Sequence, residues 1–174
     1  MNCIKVLTDK DFGLEMKKLV NPTIRYGARG IIFDEDGNIA ILNKQNKNAY
    51  KLVGGGLDNR EMPYQAFKRE VLEESGAKIT DINQIGVVEE YRTLDNFHQT
   101  SYVFTARVIS KGNTNYTKEE LNSGSRVLWV SMKDAINLIK NCEESLIIGN
   151  KKDLYHSKFI VRRDYEILKY YLNN

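Results

Sequence analysis

Strand-forming residues alternate with turn signals in the first third of the chain. Residues 24–33 are rich in strand formers, residues 34–37 read as a turn, and residues 38–43 return as a second strand. This pattern predicts a β-hairpin. A short third strand is predicted at residues 50–53, and it leads into the glycine run 54–56, where absent side chains let the backbone approach a ligand or metal closely.

The glycine run is followed by a predicted helix over residues 63–75. Pro63 suits its first turn, where the missing N–H is no loss, and Gly76 suits its C-terminal stop. At the helical period of about 100° per residue, one arc is apolar, formed by Tyr64, Phe67 and Val71. The neighbouring arc is acidic, formed by Glu70, Glu73 and Glu74.

Further strands and helices are predicted after this helix. The expected strands are 85–92, 101–109 and 127–130. The polar segment 110–125 reads as a loop. The expected helices are 132–140, capped by Ser131, and about 158–172. Strands on both sides of one helix, followed by a second helix, predict an α+β layered domain.

The chain divides into three predicted parts. Residues 1–22 form an N-terminal extension in which Phe12, Met16 and Leu19 make one apolar stripe on a short helix, read as a packing or dimer segment. Residues 23–145 form the main domain. Residues 146–174 form a C-terminal helical extension, expected to pack on the domain or on a dimer partner. The apolar stripes at both ends are compatible with a homodimer.

The amino-acid composition indicates which binding partners and which cellular compartment to expect. The 174 residues carry 26 basic and 23 acidic side chains, and the net charge of +3 is too small to indicate nucleic acid, though it suits a phosphorylated substrate. Cys3 and Cys142 lack metal or disulfide spacing and indicate a reducing compartment. Charges interrupt every apolar run near the N-terminus, so no signal peptide or membrane span is predicted. The expected location is the cytoplasm.

The acidic arc of the predicted helix indicates a divalent cation. Carboxylates at i, i+3 and i+4 repel one another, each like-charge pair costing ~0.2–0.5 kcal/mol, and glutamates late in a helix oppose its macrodipole. A bound divalent cation reverses that cost. Because the ligands are hard oxygens with no His or Cys nearby in sequence, Glu70, Glu73 and Glu74 favour Mg²⁺ or Mn²⁺ over zinc.

The stretch 55–77 resembles the signature box of the Nudix hydrolases, G-x5-E-x7-R-E-U-x-E-E-x-G-U, in which U is aliphatic. Every fixed position is met, and only Ala77 is smaller than the usual aliphatic residue. The fixed positions are Gly55, Glu61, Arg69, Glu70, Glu73, Glu74 and Gly76. The resemblance implies a Nudix hydrolase domain at residues 23–145, with the Nudix fold, an α/β/α sandwich built on a mixed β-sheet.

The resemblance also implies an activity, the hydrolysis of a diphosphate bond in a nucleoside diphosphate linked to another group X. Such a site must neutralise phosphate charge and activate a water molecule, which bound metal ions can do. The implied metal ligands are Gly55, through its carbonyl, Glu70, Glu73 and Glu74. In the family, the arginine at the Arg69 position orients a glutamate by a charge-assisted hydrogen bond, and Glu61 is a supporting carboxylate.

The general base stays open at the level of sequence, because families with this box take it either from the box or from a later loop. Glu70 is the candidate inside the box. Candidates outside it are Glu119 and Glu120, which precede Trp129, and Glu89 and Glu90, of which strand alternation points only one toward the site. The expected catalytic set is Arg69, Glu70, Glu73 and Glu120.

Substrate recognition requires an aromatic plane and a few polar groups. Arg25 and Arg29 alternate with apolar residues on the first predicted strand, so a basic side chain can project into the cleft, and Tyr50 precedes the glycine run. The expected substrate-binding set is Arg29, Tyr50, Gly54 and Gly55. Further candidates are Phe33, Tyr102 and the loop residue His98.

Departures from the family pattern narrow the substrate. Val53 replaces the proline that the family often has in this loop. No proline follows Pro63, whereas many ADP-ribose pyrophosphatases have one downstream of the box. Residues 93–95 lack the tyrosine that is typical of dinucleoside polyphosphate hydrolases. By elimination, the leading prediction is a nucleoside triphosphate, hydrolysed as in the sanitising, MutT-like type. The alternatives are nucleotide sugars or other X groups, RNA 5′ ends, and a non-catalytic ligand-binding regulator.

Overall fold

The structure is a computed structural model that describes residues 2–174. The described chain forms seven strands and four α-helices. The strands are β1 (Cys3–Thr8), β2 (Thr23–Phe33), β3 (Ile39–Lys44), β4 (Ala49–Gly56), β5 (Ala77–Arg92), β6 (Phe97–Lys111) and β7 (Ser125–Val130). The helices are α1 (Pro63–Ser75), α2 (Lys118–Asn122), α3 (Met132–Ser145) and α4 (Lys151–Leu172).

The strands form one mixed sheet in the order β1-β5-β6-β2-β4-β3-β7. The pairs β1–β5 and β6–β2 are parallel, and the other neighbouring pairs are antiparallel. The long strands β5 and β6 form a hairpin, and β2 pairs with β6 along its whole length. The glycine run therefore lies beside the centre of the sheet, because Gly54 and Gly55 of β4 pair with Arg29 and Ala28 of β2.

Helices cover both faces of the sheet. On one face, Ala28 and Ile32 of β2 belong to a buried cluster with Phe67 and Val71 of α1. The alternate residue Ile31 points to the other face, where its cluster includes residues of both α3 and α4. The predicted α+β class, with an α/β/α sandwich around a mixed sheet, is confirmed.

The turn of the predicted hairpin is present, but its ladder is not. Asp34 accepts backbone hydrogen bonds in the turn, and Phe33 and Ile39 form the one cross-strand pair between β2 and β3 in the described residues 2–174. Beyond that pair both strands take β4 as their partner, β3 through the first half of β4 and β2 through the glycine half. A local pattern cannot reveal this insertion, because it depends on a third strand.

The short helix expected in the N-terminal extension was wrong. Residues 3–8 instead form β1, which pairs in parallel with β5, and Asp9–Phe12 forms a 3₁₀ turn. Phe12 packs against the core, whereas Met16 is exposed, so the residues of the predicted stripe do not face a common partner. Pairing with an existing sheet edge satisfies the backbone of this segment, which a short isolated helix could not do as stably.

Several boundaries in the C-terminal half also differ from expectation, and α3 extends to Ser145 instead of ending at residue 140. The segment 110–125 contains the short helix α2, capped by the hydroxyl of Thr117, which accepts a hydrogen bond from the Glu120 amide. The last helix begins at Lys151, because Asn150 caps it through a hydrogen bond from the Asp153 amide. No helix within residues 2–174 is both long and apolar enough to cross a membrane.

Candidate active site

The end of β4 that contains Gly54, Gly55 and Gly56, called the glycine strand below, allows a carboxylate of α1 to lie directly against its backbone. Gly54 has a φ of +139°, a conformation that residues with side chains rarely adopt, and a Cβ there would collide with the β2 backbone. A Cβ on Gly55 would overlap the carboxylate of Glu70. A side chain is therefore excluded at position 54, whereas one at position 55 would displace the Glu70 carboxylate, which occupies that space.

Arg69 holds the carboxylates of the box together. Its Nε and Nη2 donate to the two oxygens of Glu61 at 3.0 and 2.9 Å, a bidentate pair. Its Nη1 donates to Glu70 at 2.9 Å and to Glu73 at 3.2 Å, and Nη2 also donates to the Gly56 carbonyl at 3.0 Å. The hydrogen bonds with Glu61 raise the pKa of Arg69 and lower the pKa of Glu61, so both groups stay charged.

Glu74 points inward instead. Its side chain is 2% exposed, with one oxygen accepting from Lys51 Nζ at 2.8 Å and the other from the Gly54 amide at 2.8 Å. Burial raises the pKa of Glu74, and the neighbouring Lys51 ammonium acts in the opposite direction. Since Lys51 also donates to the Gly54 carbonyl at 3.1 Å, this ion pair clamps the end of α1 to the glycine strand.

The chemistry of these groups fits a hard divalent cation. Within residues 2–174 no three His, Cys, Asp or Glu side chains already converge as a metal site. The oxygens of Glu70 and Glu73 nonetheless face one nitrogen of Arg69, and Glu74 faces Lys51, so each carboxylate is held against a positive group. Carboxylate and carbonyl oxygens are the ligands that Mg²⁺ and Mn²⁺ prefer.

A cavity of about 270 Å³, called the basic cavity below, adjoins Gly54 and Gly55. Its basic side chains are Arg25, Arg29, Lys44, Lys51, Arg92 and Arg163. It is also lined by Glu90, Phe97, Gln99, His156 and Ile160. Arg163, His156 and Ile160 belong to α4, so the C-terminal helix closes one wall of this cavity.

Arg29 is the most buried of the predicted substrate-binding side chains, at 5% exposure. Burial, followed by repulsion from Arg163, lowers the pKa of Arg29 to about 10. Its Nη1 lies 4.0 Å from Asp164 of α4. Arg29 therefore remains a cation at neutral pH, inside the protein and beside the glycine strand.

The other predicted substrate residues divide between this cavity and its surroundings. Gly54 and Gly55 line the basic cavity, whereas Tyr50 lies in an adjacent hollow with Glu119 and packs against the core beneath α3 and α4. Phe33 packs near Tyr171 and Tyr102 packs against the α1 face, so both are partly buried against the core and neither lines the basic cavity. His98 bonds Glu89 at 2.7 Å.

Glu120 and Glu90 have different surroundings. One oxygen of Glu120 accepts from the Thr117 amide at 2.8 Å and hydroxyl at 2.9 Å, an arrangement that caps α2. The net effect of these contacts and the Lys51 charge, against burial, lowers the pKa of Glu120. Glu90 is buried in the basic cavity, where it accepts from Gln99 at 3.0 Å and Arg163 at 3.0 Å.

Sequence reasoning missed Lys44, Lys51, Arg92 and Arg163 as residues of the site. The position of Lys51 next to the glycine run was the one available signal, because a residue preceding a binding loop is near it by connectivity. Arg92 and Arg163 gave none, since they reach the cavity from β5 and α4, far from the box in the chain.

The fold and site together define a class of protein, a layered α/β/α domain whose glycine strand faces an arginine-organised carboxylate cluster. A family model described as the NUDIX domain matches residues 23–147, and the chain belongs to that family of hydrolases. Nudix hydrolases generally cleave diphosphate bonds and use divalent metal ions.

A solved structure from a study of MutT from Aliivibrio salmonicida and Vibrio cholerae is similar at 20% identity, with a TM-score of 0.49, over 65% of this chain and 82% of that chain. No curated protein matches the chain.

Proposed function

We propose that the protein hydrolyses a diphosphate bond in a nucleoside diphosphate linked to a group X, with nucleoside triphosphates as the leading substrate class. The observation that carries the proposal is the contact between the α1 carboxylates and the glycine strand, with a basic cavity adjoining the same glycines. One side of this arrangement suits cations and the other suits phosphate oxygens. Both are required to cleave a bond between two anionic phosphoryl groups.

The roles of the box residues follow from their contacts. Glu70, Glu73 and Glu74, with the Gly55 carbonyl, would hold Mg²⁺ or Mn²⁺, which would neutralise phosphate charge and lower the pKa of a water molecule. Arg69 positions Glu70 and Glu73 through one guanidinium nitrogen. Glu61 in turn fixes Arg69 by its bidentate pair.

The substrate side of the proposal rests on the residues around the glycine run. Arg29 supplies a buried positive charge, and the glycines at 54 and 55 leave room for a phosphate to approach the backbone. Tyr50 is proposed to contact the substrate from the adjacent hollow. Proton removal from the attacking water is proposed for Glu70 or Glu120. Glu120 is the less favourable of the two, because its carboxylate would first have to give up the two hydrogen bonds from Thr117.

The test is a hydrolysis assay with Mg²⁺ and with Mn²⁺ over nucleoside triphosphates, including oxidised ones, nucleotide sugars, ADP-ribose, dinucleoside polyphosphates and RNA 5′ ends. Glu73→Gln is the sharpest inactive variant, because the Glu73 side chain is 39% exposed and can change without unpairing a buried charge. We expect it to lower kcat on the order of 10²-fold or more. Glu35→Gln, an exposed turn residue, is the matched control and should keep full activity.

Two outcomes would contradict the proposal. One is the absence of turnover by the unaltered protein with either metal across the whole panel. The other is full activity in Glu73→Gln. If nucleotides bind without turnover, the non-catalytic alternative replaces the enzyme.

A further inference from the structure

The basic cavity contains most of the unsatisfied buried polar atoms in the protein. In residues 2–174, five buried side-chain nitrogen or oxygen atoms have no hydrogen-bond partner, and four of them belong to residues that line this cavity. The four are Arg29 Nε, Arg92 Nε, Arg163 Nη2 and Glu90 Oε1. Their side chains are at most 6% exposed. Buried polar groups are nearly always paired in folded proteins, whereas here one nitrogen in each of three guanidinium groups lacks an acceptor.

Charge in the cavity is also unbalanced. Six of the residues that line the cavity are basic, and Glu90 is the one lining residue with a carboxylate. Asp164 offsets part of this charge from behind, because it accepts from Arg163 Nε at 2.8 Å and lies 4.0 Å from Arg29. Lys51 is paired with Glu74, but the three buried guanidinium groups of Arg29, Arg92 and Arg163 still outnumber the carboxylates of Glu90 and Asp164. Such an excess is costly unless an anion accompanies it.

The cavity suits a phosphoryl group better than a nucleobase. A base needs an aromatic or apolar plane, but the guanidinium of Arg92 already covers the Phe97 ring, 4.0 Å from its centroid. A phosphoryl group offers several acceptor oxygens and negative charge to converging guanidinium forks. The unpaired nitrogens of Arg29, Arg92 and Arg163 are donors of this kind.

The cavity is continuous with the box but distinct from it. Glu70 lies over the α1 side of Gly55, whereas Arg29 points to the α4 side of the sheet, and Gly54 and Gly55 separate the two. Arg163, on α4, also lies outside the segment 23–147 that matches the family model. A substrate with its diphosphate at the box would therefore extend its next group past the glycines into the cavity.

We propose that the basic cavity binds a phosphoryl group of X, beyond the diphosphate that is cleaved, through Arg29, Arg92 and Arg163. The inference rests on the proposed function for the position of the diphosphate. It selects substrates in which X is or carries a phosphoryl group, such as nucleoside triphosphates, over those with a neutral X, such as nucleotide sugars.

The first experiment measures binding without turnover. Tripolyphosphate and pyrophosphate are titrated calorimetrically into the full-length protein in EDTA, so that divalent metals play no part. We expect tripolyphosphate to bind the unaltered protein. Arg92→Gln should raise the Kd for tripolyphosphate by about tenfold or more, because a charged buried donor is lost. Arg25→Gln, at an exposed position of the cavity mouth, should raise it by about threefold. Arg107→Gln, an exposed arginine elsewhere on the sheet, should stay within about twofold.

Circular dichroism checks that each variant is folded. If Arg92→Gln fails to fold, Arg25→Gln decides, since its side chain is exposed and its loss leaves the interior intact. The proposal is overturned if tripolyphosphate does not bind the unaltered protein, or if every folded cavity variant binds it like Arg107→Gln.

The second experiment compares kcat/KM for a nucleoside triphosphate and a nucleoside diphosphate glucose. Arg92→Gln should lower the ratio of the two by about fivefold or more, mainly through the KM of the triphosphate. An unchanged ratio would overturn the inference. The two experiments distinguish failure of this inference from failure of the proposed function. Hydrolysis without tripolyphosphate binding would refute the subsite and leave the proposed function standing. Tripolyphosphate binding without hydrolysis of any diphosphate would refute the proposed function and leave the anion-binding cavity standing.

Discussion

At the scale of single residues, the contact between Gly55 and Glu70 joins the glycine strand to the carboxylates of α1. The carboxylate fills the space of an absent side chain and is held there by Arg69 Nη1 at 2.9 Å. Position 55 is therefore a site where one methyl group can act on chemistry without disturbing the distant core.

Gly55→Ala should displace Glu70 and inactivate the enzyme while leaving the molecule folded. A displacement of about 1 Å at a catalytic group can cost on the order of 10²-fold in rate, and we expect a loss of that size in kcat. Turnover and a circular dichroism melt measure the two effects. Gly149→Ala is the control, because a Cβ there meets nothing within 4 Å. Activity of Gly55→Ala close to that of the control would refute this reading of the contact.

The pair of Lys51 and Glu74 gives a pH-dependent prediction. Lys51→Met leaves a buried carboxylate with the Gly54 amide as its remaining partner, and breaking a buried pair costs about 3–5 kcal/mol of the free energy of unfolding. Burial already raises the pKa of Glu74, and without Lys51 the pKa rises further. The folded variant then binds a proton more readily than the unfolded chain, so protonation relieves the defect at low pH, and this relief disappears as pH rises through the folded pKa.

Urea unfolding at about pH 5 and about pH 8 measures this effect. The stability deficit of Lys51→Met relative to the unaltered protein should be larger at the higher pH. Lys68→Met, at an exposed position of α1, should differ from the unaltered protein by less than ~0.5 kcal/mol at both. A deficit that is equal at the two pH values would show that Glu74 does not carry the cost.

At the scale of elements, α4 is joined to the glycine strand by a buried hydrogen bond. Asp164 accepts from the Leu52 amide at 2.8 Å, two residues before Gly54, and also from Arg163 Nε at 2.8 Å. The Asp164 carboxylate thus fixes the position of α4 relative to β4 and partly neutralises the positive charge of the arginines in the basic cavity. The position of the cavity wall depends on this connection.

Asp164→Ala should therefore be strongly destabilising. It leaves the Leu52 amide without its buried partner and removes one of the two buried carboxylates that pair with Arg163, which costs about 3–5 kcal/mol. Urea unfolding monitored by circular dichroism provides the measurement. Lys169→Ala, exposed on the same helix, should change stability by less than ~0.5 kcal/mol. A loss below ~1 kcal/mol in Asp164→Ala would contradict a joining role for this residue.

At the scale of the whole molecule, the core extends beyond the segment that matches the family. Leu7 of β1 and Phe159, Ile167 and Leu168 of α4 are fully buried in one cluster with residues of the central strands. The ring of Phe12 lies 4.5 Å from that of Phe159, so the two terminal segments also contact each other. The division into extensions and a domain, a homodimer and the cytoplasmic location stay predictions.

A chain limited to residues 23–147 should not fold cooperatively. It would expose the α4 face of the sheet, and burying a large apolar side chain is worth ~1.5–3 kcal/mol each, against a total stability of ~5–15 kcal/mol. Urea titration should show no sharp transition for it. Removal of residues 173–174 alone, which are exposed, should leave the transition unchanged. A cooperative transition in the short chain would show that α4 and β1 are dispensable for folding.

The sequence by itself determined α1, the acidic arc and the strand that leads into the glycine run, whereas only the structure placed the glycines within β4 (Ala49–Gly56). The helix was predicted at its observed bounds, 63–75, because helical period, Pro63 and Gly76 are local signals that tertiary contacts did not override. The box gave the family for the same reason, since its fixed spacings all lie on one loop and one helix. Local chemistry was thus readable where the functional groups are neighbours in the chain.

Only the tertiary structure decided β1, the insertion of β4 between β2 and β3, and the basic cavity. Cys3 pairs with Val87, and Arg163 bonds Glu90 across 73 positions of sequence. Period and propensity describe a residue's neighbours along the chain, whereas these contacts depend on which sheet edge is free and which helix covers it. For the same reason the buried arginines beside Arg29 carried no signal before folding brought them together.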